Sequence, residues 1–167
     1  MEQVALISDT HVPSRADAIP DWVRRRVGRA DHVVHAGDFD SSAAYATVLE
    51  LADGALTAVR GNTDPGSVDL PLVDALTVEG VTFVVTHGHG NRAQYEARVA
   101  SIVQEHADGA EPVVGVSGHT HEVLDETVDG VHLLNPGSAT GAMPAPQPTM
   151  MTVAVEDGDY EVTTHED

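Results

Sequence analysis

Five short apolar runs in this 167-residue sequence each end on a turn that presents Asp, Asn or His. Val4–Ser8 runs into Asp9-Thr10-His11, and Val33-Val34 into His35-Ala36-Gly37-Asp38. Leu56–Arg60 leads to Gly61-Asn62-Thr63-Asp64, Val81–Val85 to Thr86-His87-Gly88-His89, and Val113–Ser117 to Gly118-His119-Thr120-His121. Runs of this length, rich in β-branched residues, suit strands buried on both faces. Polar groups placed just past the carboxyl ends of such strands share one rim. The chain therefore needs a sheet with parallel strands whose ends lie side by side. The groups offered there are ligand types for a pair of metal ions, and Asp38 is the best placed to bridge them.

The remaining segments fill in around these strands. Pro13 and Pro20 bracket a loop, and Asp21–Val27 reads as a short helix. Ser41 is a suitable N-cap for a helix over Ser42–Leu51, with Ala44, Val48 and Leu51 on one face. A loop over Pro65–Pro71 leads to a hairpin, Leu72–Val78 with Val81–Thr86, turning at Glu79-Gly80. Asn91 starts a helix through His106, whose apolar pattern is Ala93, Ala97, Ala100 and Val103. Two more hairpins follow, Glu122–Val128 with Val131–Leu134 and Met150–Glu156 with Asp159–Thr164, separated by a Gly- and Pro-rich loop. The first half alternates strand and helix and the second is mostly hairpins. The pattern predicts an α/β fold of two packed sheets, one built from parallel units, with helices outside. Length and the absence of an evident linker predict a single domain over residues 1–167.

Composition narrows the function classes. Formal net charge is −19, and all eight basic residues are Arg. A lysine-free acidic surface is expected of a protein kept soluble in concentrated salt, because screening there shortens like-charge repulsion to a few ångströms; the alternative is an ordinary acidic cytosolic protein. An extended nucleic-acid surface would require a basic patch, and the one cluster, Arg24-Arg25-Arg26, reads as a solvated helix face. Without Cys there is no disulfide framework, thiolate nucleophile or sulfur metal site. Neither a signal peptide nor a run of about 20 apolar residues is visible. The expectation is a cytoplasmic protein with no membrane partner.

Each metal motif alone is weak, and Asn62 after Gly61 would ordinarily be a turn residue. Their conjunction is the argument. The order Asp9-x-His11, Gly37-Asp38, Gly61-Asn62-x-Asp64, His87-Gly88-His89 and Gly118-His119-x-His121 resembles the calcineurin-like metallophosphoesterase superfamily. Short length and Asn135-Pro136-Gly137-Ser138 resemble its compact branch, the YfcE-type phosphodiesterases. The resemblance spans Val4 to about Ser138 and implies a β-sandwich of two mixed sheets flanked by α-helices.

By that resemblance, one metal takes Asp9, His11, Asp38 and His121, and the other Asp38, Asn62, His87 and His119. Imidazole and carboxylate donors suit manganese, iron or zinc better than magnesium or calcium, which prefer all-oxygen shells, and the expectation is two divalent ions, manganese first with iron, zinc or nickel as alternatives. The implied reaction is hydrolysis of a small or exposed phosphate ester, a small-molecule phosphodiester above all, by a hydroxide held between the ions. His89 is the candidate catalytic residue, open between facing the substrate phosphate and lying on the surface. His35 is open between a support beneath the metals and core packing. Asp64 could cap its loop or support a ligand His, and Asn135–Ser138 close the rim or, less simply, contact phosphate. His32, His106, His132 and His165 read as surface or packing residues. Larger enzymes of the superfamily carry His where this chain has Thr63, which leaves the general acid without an obvious candidate. The competing function is a non-catalytic metal-binding interaction scaffold of the same fold, as in the eukaryotic retromer subunit that resembles this branch. All seven ligand residues are intact, which favours the enzyme. A homo-oligomer is left open.

Salt adaptation makes a direct prediction: with metal held saturating, the thermal midpoint rises from dilute buffer to multimolar KCl. A flat or falling midpoint would remove it.

Overall fold

A computed structural model describes residues 1–166. In chain order its elements are β1 (Glu2–Ile7), α1 (Asp21–Arg29), β2 (His32–His35), α2 (Ser42–Leu51), β3 (Leu56–Ala58), β4 (Val73–Val78) and β5 (Val81–Thr86). A 3-10 turn (Arg92–Gln94) then leads into α3 (Tyr95–His106), β6 (Val113–Val116), β7 (Val123–Val128), β8 (Val131–Pro136), β9 (Thr149–Glu156) and β10 (Asp159–Glu166).

The strands form two five-stranded sheets, ordered β10-β9-β1-β2-β3 and β4-β5-β6-β8-β7. Both are mixed. β1, β2 and β3 run parallel, with β9 and β10 added antiparallel. Two mixed sheets are what the resemblance implies, although the residue pattern assigned parallel units to only one of them. The second sheet too has a parallel centre, β5-β6-β8, with β4 and β7 as antiparallel edges. The cause is α3: it crosses over from β5 to β6, so that these two strands lie side by side in one direction.

Three apolar layers account for the packing. Between the sheets, Val4, Leu6 and Val34 meet Phe83, Val85, Val116 and Leu134, all fully buried. On the outer face of the first sheet, Ile7 and Val33 pack under Val23 and Val27 of α1 and Val48 of α2. On the second, Val84 and Leu133 pack under α3. Alternation along each strand thus serves two cores, which is why β1 reads as a continuous apolar run. Helix α2 starts as expected, with the Ser41 hydroxyl accepting from the Ala44 N–H at 3.0 Å.

The third helix buries a different face from the expected one. Tyr95, Val99, Ala100 and Val103 point inward, while Ala93 and Ala97 are exposed. Tyr95 decides the face. Its ring fills the space under Gly88, and its hydroxyl donates to Ser117 Oγ or the Gly118 carbonyl, each at 2.6 Å. One aromatic at the helix start outweighs two alanines because it buries several times their area.

The parallel strands of both sheets end on the same side of the molecule, where loops from β1, β2, β3, β5 and β6 meet. Glycines make this close approach feasible. A Cβ at Gly61 would overlap the Asp38 carboxylate and main chain, and one at Gly118 would overlap Ser8 and Asp9. We predict that Gly61→Ala costs roughly 1–3 kcal/mol by overpacking and displaces Asp38. The check is paired calorimetric unfolding and metal titration. Unchanged metal affinity in the folded variant would show that the approach is not required.

Candidate metal centre

Each ligand candidate sits one to five residues beyond a strand end, and most sit on unusual backbone. Asp9, His11, Asp38, His119 and His121 all have positive φ, between 45° and 74°, and Asp40 joins them at 81°. Asp and His tolerate this left-handed region better than most residues, yet each instance still opposes folding. The turns are held by hydrogen bonds: the Asp9 N–H to the Gly37 carbonyl at 3.0 Å, the His11 N–H to the Asp38 carbonyl at 3.1 Å, and the His119 N–H to Asp9 Oδ2 at 3.0 Å.

Two sets of ligand atoms come together, Asp9 with His11 and His121, and Asp38 with His87 and His119. Within each set all the ligand atoms lie within 4.8 Å of one another. Asp38 Oδ2 joins the sets, lying 3.4 Å from His11 Nε2 and 3.1 Å from His87 Nε2. Asp9 Oδ1 is also central, 3.4 Å from His121 Nε2 and 4.0 Å from His87 Nε2. Asn62 Oδ1 closes the second set, 2.9 Å from His87 Nε2 and 3.1 Å from His119 Nδ1.

The outer nitrogens explain the inner ones. His11 Nδ1 faces Asp40 Oδ1 at 2.9 Å, His87 Nδ1 the Ala36 carbonyl at 2.7 Å, and His121 Nδ1 the Ala142 carbonyl at 2.8 Å. Each partner accepts, so each Nδ1 carries the proton and Nε2 is directed inward. His11 Nε2 and His121 Nε2 then lie only 3.2 Å apart, beside two buried carboxylates. Something positive has to stand among these atoms, a shared proton or a cation. Four imidazoles, two carboxylates and one amide oxygen fit a pair of divalent ions, and the donor set by itself does not name the metal.

Protonation follows the same logic when no ion is bound. Burial pushes His87 down, but the bond with Asp38 and the charges of Asp9 and Asp38 outweigh it and raise its pKa to about 9. Burial pushes Asp38 up, and its contacts with His87 and Thr63 overcome this and hold the carboxyl far below its ordinary range. His35 is different. Full burial lowers it to about 3, against the pull of Asp38, so it is neutral throughout the physiological range.

His35 turns out to satisfy both readings offered for it. Its ring stacks on Phe39 at 3.6 Å between centroids, while Nδ1 accepts from the Gly37 N–H at 3.0 Å and Nε2 faces Thr10 Oγ1 at 3.1 Å. It packs the core and ties down both ligand-bearing turns. Asp64 caps its loop and touches no ligand His; it accepts four main-chain N–H groups, from Asp38, Phe39, Asp40 and Gly61. Asn135 and Ser138 are fully buried, which withdraws them from phosphate contact. Asn135 braces Gly118 and Thr120, and Ser138 donates to the Asp9 carbonyl. His89 is exposed at the rim, edge-on to the His119 ring at 5.7 Å. His32, His106, His132 and His165 belong to neither set. A cavity of about 560 Å³ lies elsewhere, between α3 and β7, and holds none of the converging atoms.

The sequence reading missed Asp40. Its carboxylate takes the His11 Nδ1–H, the Thr63 hydroxyl at 2.6 Å and the Ser14 hydroxyl. The signal was present in Asp38-x-Asp40, but only the left-handed turn shows that the second carboxylate points back at a ligand.

Two predictions follow from this wiring. Asp40→Asn, which keeps a side chain suited to positive φ, should weaken metal at the Asp9–His11–His121 set by roughly 10–100-fold. The second set should hold its ion, so equilibrium titration should resolve one tight and one weakened site. Equal weakening at both would refute this. For His87, a folded pKa above the unfolded value stabilises the metal-free protein below about 6.5, and this is lost as pH rises through about 9. Metal binding near pH 7.5 should therefore displace its proton, so that apparent affinity falls as pH drops. Calorimetry in buffers of different ionisation enthalpy measures the release; buffer-independent heats would contradict it.

Comparison with known proteins agrees with this geometry. Residues 2–158 match the calcineurin-like phosphoesterase superfamily domain. A probable metallophosphoesterase of Methanocaldococcus jannaschii is 30% identical over 159 residues, covering 92% of this chain and 76% of the relative. Among solved structures, Vps29 from Entamoeba histolytica complexed with zinc superposes with a TM-score of 0.74 at 26% identity, covering 98% of each chain. An archaeal phosphodiesterase shares the fold, with a TM-score of 0.71 at 24% identity over 98% of this chain and 99% of its own. The chain belongs to the calcineurin-like phosphoesterase superfamily.

Proposed function

We propose that this protein is a dinuclear-metal phosphodiesterase acting on a small or exposed phosphate ester, with manganese as the first candidate metal. The observation that carries the reading is Asp38 Oδ2, placed within 3.4 Å of imidazole nitrogens from both ligand sets. Asp9, His11 and His121 would hold one ion and Asn62, His87 and His119 the other, with Asp38 between them. Bound there, the ions would activate water for attack on phosphorus and offset charge on the phosphoryl oxygens.

The chain's own residues set the rest. Asp40, Ala36 and Ala142 orient the ligand imidazoles, and buried Asp9 and Asp38 supply the negative charge that holds cations. His89, exposed beside His119, is our candidate for donating a proton to the leaving oxygen. Thr63 cannot do so, because its hydroxyl is too weak an acid and already donates to Asp40. The structural likeness to Vps29 supports a second reading, an interaction scaffold that binds metal without turnover.

The test is metal analysis with a series of aryl and alkyl phosphodiesters. Wild type should bind two ions per chain and hydrolyse nitrophenyl diesters, and Asp38→Ala should lose both ions and essentially all activity. A positioned acid is typically worth roughly 10²–10⁴ in rate. If His89 supplies it, His89→Ala should lose that much on alkyl leaving groups and far less on nitrophenyl. Equal losses on both would remove His89 from that role. Two bound ions with no turnover of any diester would favour the scaffold.

A further inference from the structure

Three of the eight arginines of this acidic chain are fixed by their own neighbours. Arg60 donates to the carbonyls of Asp64, Pro65 and Val68, Arg98 to those of Gly88 and Asn91, and Arg92 pairs with Glu122. Four more arginines lie on α1, one of them, Arg24, lining a cavity with Thr10 and Val12. Arg15 is different. It lies four residues beyond His11 on the same turn, its N–H donating to the His11 carbonyl at 2.9 Å. Its Nη1 donates to the Met143 carbonyl at 3.2 Å, next to the Ala142 carbonyl that takes the His121 Nδ1–H. The side chain thus ties the loop that carries His11 to the β8–β9 loop, which supports His121 through the Ala142 carbonyl. Among the described residues no carboxylate lies within 4.0 Å of it, although the chain carries 27 Asp and Glu.

Among the described residues only Arg92 pairs with a carboxylate, so what distinguishes Arg15 is its place, exposed and tethered beside the ligand-bearing turn. The net field of −19 repels anions, and concentrated salt would leave only short-range contacts effective. A planar guanidinium with free N–H groups suits a phosphate at close range. Arg15 is anchored on the Nδ1 side of His121, so it flanks the converging Nε2 atoms and does not join them. A scissile phosphate held at the Nε2 atoms would therefore leave Arg15 to a different anionic group of the substrate.

Resting on the phosphodiesterase reading, we propose that Arg15 binds a second phosphate on the substrate, and that the preferred substrates are phosphodiesters whose other half carries a further phosphomonoester.

A matched pair tests this: p-nitrophenyl 2-phosphoethyl phosphate and p-nitrophenyl ethyl phosphate, with manganese-loaded protein. Wild type should favour the first by about tenfold in kcat/KM, chiefly through KM, the worth of one good charge-assisted contact. Arg15→Met should lose that preference and Arg15→Lys should keep part of it. No preference in the wild type, or equal loss on both substrates in Arg15→Met, would overturn the proposal. A binding arm needs no turnover: calorimetric titration with ethane-1,2-diol bisphosphate and with ethyl phosphate. Wild type should bind the bisphosphate more tightly, and Arg15→Met should bring the two affinities together; an unchanged ratio would overturn the proposal. If neither diester is hydrolysed, the phosphodiesterase reading fails, and the binding arm still decides whether Arg15 holds a second phosphate.

Discussion

The site depends first on the carboxylate of Asp64. It accepts N–H bonds from Asp38 at 3.0 Å, Phe39 at 2.7 Å, Asp40 at 3.0 Å and Gly61 at 2.8 Å. Three successive amides aimed at one buried carboxylate form a concave nest, and the fourth stitches the loop after β3 to the turn after β2. Hydrogen bonds to a charged acceptor are roughly twice as strong as neutral ones, so this cluster can hold Asp38 and Asp40 at positive φ. From the other side, the Thr63 N–H donates to Asp38 Oδ1 at 3.0 Å, leaving Oδ2 for the histidines. Arg60 fixes the same loop through three carbonyls. Asp64 touches no ligand imidazole, yet the position of Asp38 follows from it.

The strain at the rim has a reason that the neighbouring packing does not supply. Six residues in the left-handed region, two of them buried aspartates, are costly, at about 1–3 kcal/mol for each strained residue. They gain convergence. A strand continued in extended geometry would keep Asp9 and His11 on one face but carry them apart along its axis, at about 3.3 Å per residue, so that both could not converge with His121. Left-handed turns at each strand end bring the acids and imidazoles inward from two different sheets. Without positive charge among them the arrangement is self-repelling, which is why His87 retains a proton to about pH 9 in the metal-free protein. Cation binding and folding are coupled through that repulsion.

How much of this was legible in the sequence varies with the scale of the interaction. Strands and hairpins were readable within one or two residues because apolar runs and Asp-Gly or Glu-Gly turns are local signals; β5 begins and ends where expected, as does α2. The ligand-type residues were readable because they recur at strand ends. The buried face of α3 was not, because Ala93 and Ala97 fit the helical period as well as Tyr95 and Val99 do, and only the sheet beneath chooses between them. The parallel centre of the second sheet was hidden for a similar reason: β7 and β8 form a local hairpin, while the β6–β8 pairing is non-local. Asp64 was legible as a loop cap and Asn135 as part of the rim, but the partners of both, and the whole role of Asp40, depend on backbone angles that residue spacing does not give.

Thr63 shows how such contacts shape chemistry. Its hydroxyl donates to Asp40 Oδ1, the same oxygen that takes the His11 Nδ1–H, so the loop after β3 is wired into the support of a ligand histidine. In the larger enzymes that the sequence resembles, this position carries a His suited to acid catalysis. An imidazole at 63 that kept the bond to Asp40 would share its carboxylate with His11, and one that released it would leave His11 less firmly oriented. Threonine avoids the conflict, since a hydroxyl donates one hydrogen bond and carries no charge at any working pH. On the phosphodiesterase proposal, the proton for the leaving oxygen would then come from outside this network. His89, across the rim beside His119, and the substrate's own ionisable groups are the sources that do not disturb it. A second phosphomonoester on the substrate would be such a group, because its later ionisation lies near pH 6.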